Sequence, residues 1–125
     1  MKENIKVLAV DDDMINLKLI KSMLLKDNSI AEVVEASNGA DAMTALTANP
    51  DIDIVLLDII MPIMGGIETM QVIRSHEQFQ NIPIIVLTTD ETKKGESIDS
   101  GANEFVRKPV KGTELIEKIH KLINL

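Results

Sequence analysis

The chain has 125 residues, 45% of them apolar, enough for a single domain, 1–125, around one core. It has no cysteine, which excludes a disulfide framework and a thiolate metal site. A net charge of −7, with two Phe and neither Trp nor Tyr, argues against broad nucleic-acid binding and against an aromatic platform for single strands. Taken in chain order, short β-branched runs alternate with longer periodic segments. Ile5 to Val10 reads as a strand. Met14 to Lys26 reads as a helix, with Leu17, Ile20, Met23 and Leu24 at spacings of three and four. Ala31 to Ala36 is a second strand, at a sheet edge because Glu32 and Glu35 interrupt it. Ser37 or Asn38 caps a helix running to Ala48, and Ile52 to Leu57 is a third strand. Gly65 to Ser75 is the next helix, and Pro83 to Leu87 a fourth strand with its proline where a missing N–H is tolerated. Glu91 to Ser100 is a weak helix, Glu104 to Arg107 a short fifth strand, and Gly112 to Ile123 a final helix with Leu115, Ile116, Ile119, Leu122 and Ile123 on its stripe.

Five successive β-α units imply an α/β fold, a parallel sheet covered by helices on both faces. Right-handed crossovers make it doubly wound. Such sheets place their chemistry at the carboxyl ends of the strands. Asp11, Asp12 and Asp13 follow the first strand, Asp58 the third, Thr88 the fourth and Lys108 the fifth. With the first and third strands adjacent, Asp11, Asp12 and Asp58 share a pocket. Carboxylates that close repel one another unless a cation lies among them. Oxygen ligands with no His or Cys point to Mg²⁺ rather than zinc. Three carboxylates, one lysine and one Mg²⁺ sum to zero charge. A nucleophile, a metal and a cationic, hydrogen-bonding clamp are the parts for phosphoryl transfer to a carboxylate.

The segments V-D-D-D, L-L-D-I-I-M-P-I-M-G-G, V-L-T-T and F-V-R-K-P-V, in this order, resemble the motifs of bacterial response-regulator receiver domains. A-S-N-G-A-D-A and S-G-A-N-E-F fit as lesser signatures, and the resemblance runs from residue 5 to residue 123. It implies a flavodoxin-like (βα)5 three-layer sandwich with sheet order 2-1-3-4-5. It implies a phosphorylation-activated switch: Asp58 accepts a phosphoryl group from a histidine-kinase phosphohistidine. By the same resemblance, Asp12 and Asp58 bind Mg²⁺ directly, Asp11 largely through water, and the Ile60 carbonyl completes the site. Lys108 bonds the phosphoryl oxygen, Thr88 hydrogen-bonds it after moving, Phe105 stands at the switch position, and Lys108–Pro109 is cis. The partners implied are a sensor histidine kinase or phosphotransfer protein, and a downstream effector or fused output domain.

Simpler readings compete at individual residues. Asp13 reads as a helix cap rather than a ligand. Gly66 reads as supplying a backbone conformation, Thr89 as packing or capping, and the seven methionines as core filling. His76 and His120 lie on polar helical stretches and read as solvent-exposed. The chain departs from the family pattern in four ways: Gly65 for Asp or Asn, Val110 for Phe after Lys-Pro, Phe105 where Tyr is frequent, and a shortened stretch between Thr88 and Lys108. Within that stretch Ile98 is the one large apolar anchor and Gly95 sits mid-helix, so residues 90–100 should form a short, weakly held helix.

Two other classes fit less well. A phosphatase of the haloacid dehalogenase type needs D-x-D at its nucleophile, and Asp58 is followed by Ile59 and Ile60. A flavodoxin needs a phosphate loop where this chain has three carboxylates. No apolar run approaches the roughly 18 residues that span a bilayer, and no signal-peptide stretch opens the chain. A cytoplasmic protein with no membrane contact is the reading. The last helix lacks the arginines of dimerising receivers, which favours a monomer.

Overall fold

The computed structural model describes residues 4–61 and 63–123. The elements alternate as expected: β1 (Ile5–Val10), α1 (Met14–Leu25), β2 (Ile30–Ala36), α2 (Gly39–Ala48), β3 (Ile54–Asp58), α3 (Gly66–Ser75), β4 (Ile84–Thr88), α4 (Lys94–Asp99), β5 (Glu104–Arg107) and α5 (Gly112–Ile123). A 3-10 turn at Glu91–Lys93 leads into α4. The five strands are parallel in the order β2-β1-β3-β4-β5, so β2 is at an edge. β3 begins two residues later than its apolar run. Pairing with β1 starts at Val7 and Ile54, while Asp53 gives its carboxylate to the Lys6 N–H.

Alternation along the strands feeds two cores. Val7, Ala9, Ile54, Leu56, Ile85 and Leu87 face α1 and α5. Leu8, Val10, Val55, Leu57, Ile84 and Val86 face α2 and α3. The central strands β1, β3 and β4 are covered on both faces, which is why they read as almost unbroken apolar runs. Asp13 caps α1 by accepting from Ile15 N (3.0 Å) and Asn16 N (3.3 Å), and Asn38 caps α2 through Asp41 N (2.8 Å). Val110 packs against the α1/α5 core.

Several side chains sit differently from their sequence readings. Of the described methionines only Met70 is fully buried; Met43 and Met61 pack against the α2/α3 core from its edge, and Met14 is 71% exposed. The strands already fill both interiors with Ile, Leu and Val, which leaves the methionines to the rims. Thr89 is exposed, and the cap of the following turn is Asp90, which accepts from Thr92 N at 2.9 Å. His76 is exposed, but His120 is half-buried. Its Nε2 lies 2.9 Å from Ser29 Oγ and 3.7 Å from Asp27, because the last turns of α5 fold over the α1–β2 connection.

The segment after Thr88 is a single 3-10 turn and a six-residue helix, as short as its composition suggests. Its anchor is different. Ser97 is fully buried and bonds Lys93 O at 2.7 Å, whereas Ile98 is 42% exposed. A helix fastened by a hydroxymethyl group gains little from burial, so its local stability stays low. Nothing lies within 4 Å of a Cβ placed on Gly95. Gly95→Ala should therefore stabilise α4 by up to about 1 kcal/mol. Hydrogen exchange over residues 90–100 should be faster than in α5 in the parent and slower in the variant. Protection equal to that of α5 in the parent would contradict the weak anchor.

Candidate functional site

Parallel strands deliver their carboxyl ends to one edge of the sheet, and each candidate side chain sits there. Asp11 follows β1, Asp58 ends β3, Thr88 ends β4 and Lys108 follows β5. Carboxylate oxygens of Asp11, Asp12 and Asp58 lie within 4.8 Å of one another. Asp11 and Asp58 are buried, and Asp12 is exposed. Lys108 Nζ stands 3.0 Å from Asp11 Oδ2 and 3.6 Å from Asp58 Oδ1. The Lys108–Pro109 bond is cis, and Lys108 N donates to Thr88 O at 2.8 Å. The Thr88 hydroxyl is buried and accepts from Asp90 N at 3.3 Å.

The two buried acids are treated oppositely. Burial works to raise the Asp11 carboxyl, but the Asp13 N–H, the Asn16 amide and the Lys108 ammonium together hold it below the usual carboxylate value. Asp58 has fewer donors. Burial pushes it up to about 6, and Asp11 and Asp12 add to the rise against the opposing charge of Lys108 and the Ile59 N–H. The pocket thus carries more negative charge than Lys108 neutralises. An all-oxygen donor set with that deficit fits a hard divalent cation such as Mg²⁺.

The loop after Asp58 carries Ile60, 67% exposed, and Ile63, 83% exposed with φ at +69°. Backbone strain falls on Ile63 rather than on Gly65, whose φ is −71° and which opens α3 without a side-chain cap. Gly66 answers a different need from the one read in its sequence. Its φ is not positive, but its N–H bonds Ile59 O at 2.7 Å and a Cβ there would collide with the Asp58 carbonyl. It is a point of close approach between α3 and the end of β3 at Asp58 and Ile59. Phe105 is half-buried against the α2/α3 core, in a concavity it shares with Glu91, Lys94 and Arg107. Arg107 pairs with Glu91 across it at 3.4 Å.

Sequence reading missed Asn16, whose Nδ2 donates to Asp11 Oδ2 at 2.6 Å. The available signal was its place in the first turn of a helix that begins beside the acids.

The sequence profile of the response regulator receiver domain matches residues 7–120. The chain belongs to that family. This receiver is 31% identical over 120 residues to the chemotaxis protein CheY homolog of Campylobacter jejuni, covering 94% of this chain and 92% of the relative. It is 35% identical over 117 residues to the CAI-1 autoinducer sensor kinase/phosphatase CqsS of Vibrio cholerae, covering 91% of this chain but 17% of that protein. Among solved structures, chemotaxis protein CheY4 of Vibrio cholerae superposes with a TM-score of 0.85 at 29% identity, covering 94% and 97% of the two chains. The receiver thus has the doubly wound, flavodoxin-like (βα)5 fold of two-component signalling, and the haloacid dehalogenase alternative is not favoured.

Proposed function

We propose that this receiver, taken as the whole of 1–125, is a cytoplasmic phosphorylation switch with Asp58 as its phosphoacceptor. Its donor would be a phosphohistidine of a sensor histidine kinase or phosphotransfer protein. The observation that carries the reading is the contrast within the acid pocket. Asp11 accepts from three donors, while Asp58, at the end of a central strand, is buried, donor-poor and 3.6 Å from an ammonium. A carboxylate left with free lone pairs beside a cationic clamp is placed to act as nucleophile.

In the proposed step an Asp58 oxygen forms a bond to phosphorus as the N–P bond of the donor breaks. The electron pair returns to the imidazole nitrogen, which takes a proton from solvent. Asp12, Asp58, the Ile60 carbonyl and, through water, Asp11 would hold Mg²⁺. That ion supplies neutralisation of the phosphoryl oxygens. Lys108 leaves Asp11 to bond the phosphoryl group, and the Thr88 hydroxyl turns towards it. The slack around Thr88 would pass to Phe105 and the weakly anchored α4, the face offered to an effector or fused output domain. The domain's own chemistry is limited to taking up and losing this group.

Phosphoramidate with Mg²⁺ should add a single phosphoryl group, seen by intact-mass measurement. Asp58→Asn should give no stable adduct. Labelling of that variant as complete as that of the parent would overturn the assignment, and continuous turnover of a small phosphate ester would favour an enzyme instead.

A further inference from the structure

We propose that Asn16 is a positioning residue that frees Lys108 for the phosphoryl group by holding the same oxygen of Asp11. This rests on the reading of Asp58 as phosphoacceptor. Asp11 Oδ2 accepts both Asn16 Nδ2 at 2.6 Å and Lys108 Nζ at 3.0 Å, while Oδ1 accepts Asp13 N at 2.9 Å. The Asn16 group facing Asp11 is the amide nitrogen, which donates to the carboxylate oxygen. Asn16 is fixed from behind: its backbone N–H is in the Asp13 cap of α1.

The consequence lies in what happens when Lys108 moves. Asp11 is 1% exposed in the metal-free protein, so bulk water does not readily replace a lost donor at Oδ2 there. With Lys108 as sole partner, its departure would strand a buried anionic oxygen, and that cost would be added to the barrier for phosphoryl transfer. Asn16 keeps a donor on that oxygen throughout. Lys108 can then lean towards Asp58, already 3.6 Å away, without leaving Asp11 bare. Asn16 touches neither Asp58 nor Lys108 among its described hydrogen bonds and acts only through Asp11.

Two measurements decide it. The first needs no phosphorylation. Thermal melts in chelator compare the parent, Asn16→Ala, Lys108→Ala and the double variant. If the two donors stand in for one another, Asn16→Ala should lower the melting temperature at least about twice as far in the Lys108→Ala background as in the parent. Equal losses in the two backgrounds would overturn the sharing. The second sets Mg²⁺ affinity, by calorimetry, against the phosphoramidate rate at saturating Mg²⁺. For Asn16→Ala, affinity should stay within about twofold while the rate falls roughly tenfold. A parent-like rate, or a deficit that tracks weakened Mg²⁺ binding and recovers when the ion is raised, would overturn the positioning role. Failure of the parent itself to take up a phosphoryl group would strike the reading of Asp58, and the melts would still decide whether Asn16 and Lys108 share Asp11.

Discussion

In a chelating buffer at pH 7, Asp58→Asn is expected to melt on the order of 10 °C above the parent. Folding buries Asp58 and raises its carboxyl from 3.8 to about 6. The folded state therefore holds that proton more tightly than the unfolded state does. Below the unfolded value both states are protonated and nothing is lost. As pH rises from about 4 to about 6 the unfolded chain releases its proton first, stability falls, and above about 6 the full cost is present. The shift corresponds to roughly 3 kcal/mol. An asparagine amide of nearly the same shape carries no charge and escapes this cost. Asp11 moves the other way: its lowered value contributes stability that is present above 3.8 and lost as pH falls further, outside this window. The gap between variant and parent should thus close as pH is lowered towards 4, and saturating Mg²⁺ should narrow it at pH 7 by binding the folded parent. A constant gap, or none, would contradict the burial argument. Asp12→Asn should stabilise the metal-free protein too, but by less, because Asp12 is exposed and is the least of the causes raising Asp58.

Gly66→Ala should cost about 3 kcal/mol or more, beyond the usual range for overpacking. A methyl group at Gly66 would strike the Asp58 carbonyl oxygen and sit 2.6 Å from Ile59 Cα. Both obstacles are backbone, so no rotamer relieves them. β3 and the start of α3 must separate, and Asp58 moves with its strand. Mg²⁺ affinity of whatever fraction remains folded should fall with the stability. Gly65→Ala is the control: its nearest neighbour would be Ile59 O at 3.5 Å, ordinary contact at an unstrained φ of −71°. Denaturant titration of the two variants, followed by calorimetry with Mg²⁺, tests the pair. Equal stabilities would mean that the close approach at Gly66 is easily relaxed.

Which residues reach the site could be read from the order of amino acids alone. Period-two and period-three-to-four patterns mark the strands and helices. A parallel sheet then obliges Asp11, Asp58, Thr88 and Lys108 to meet, because each lies at the same end of its strand. Turn chemistry was equally local, so Asp13 and Asn38 were legible as caps. Quantities set by neighbours remote in sequence emerge only on folding. Lys108 lies 97 residues from Asp11, and its distances of 3.0 Å to Asp11 and 3.6 Å to Asp58 are set by where folding places the two carboxylates. Likewise Gly66 serves close approach because the β3 backbone passes beneath it, and His120 is half-buried because Ser29 and Asp27 come up against α5. In the helix after Thr88, composition pointed to Ile98, the one large apolar residue there. Packing chose Ser97 instead, since a side chain's depth depends on how the whole helix is docked and not on its hydropathy alone.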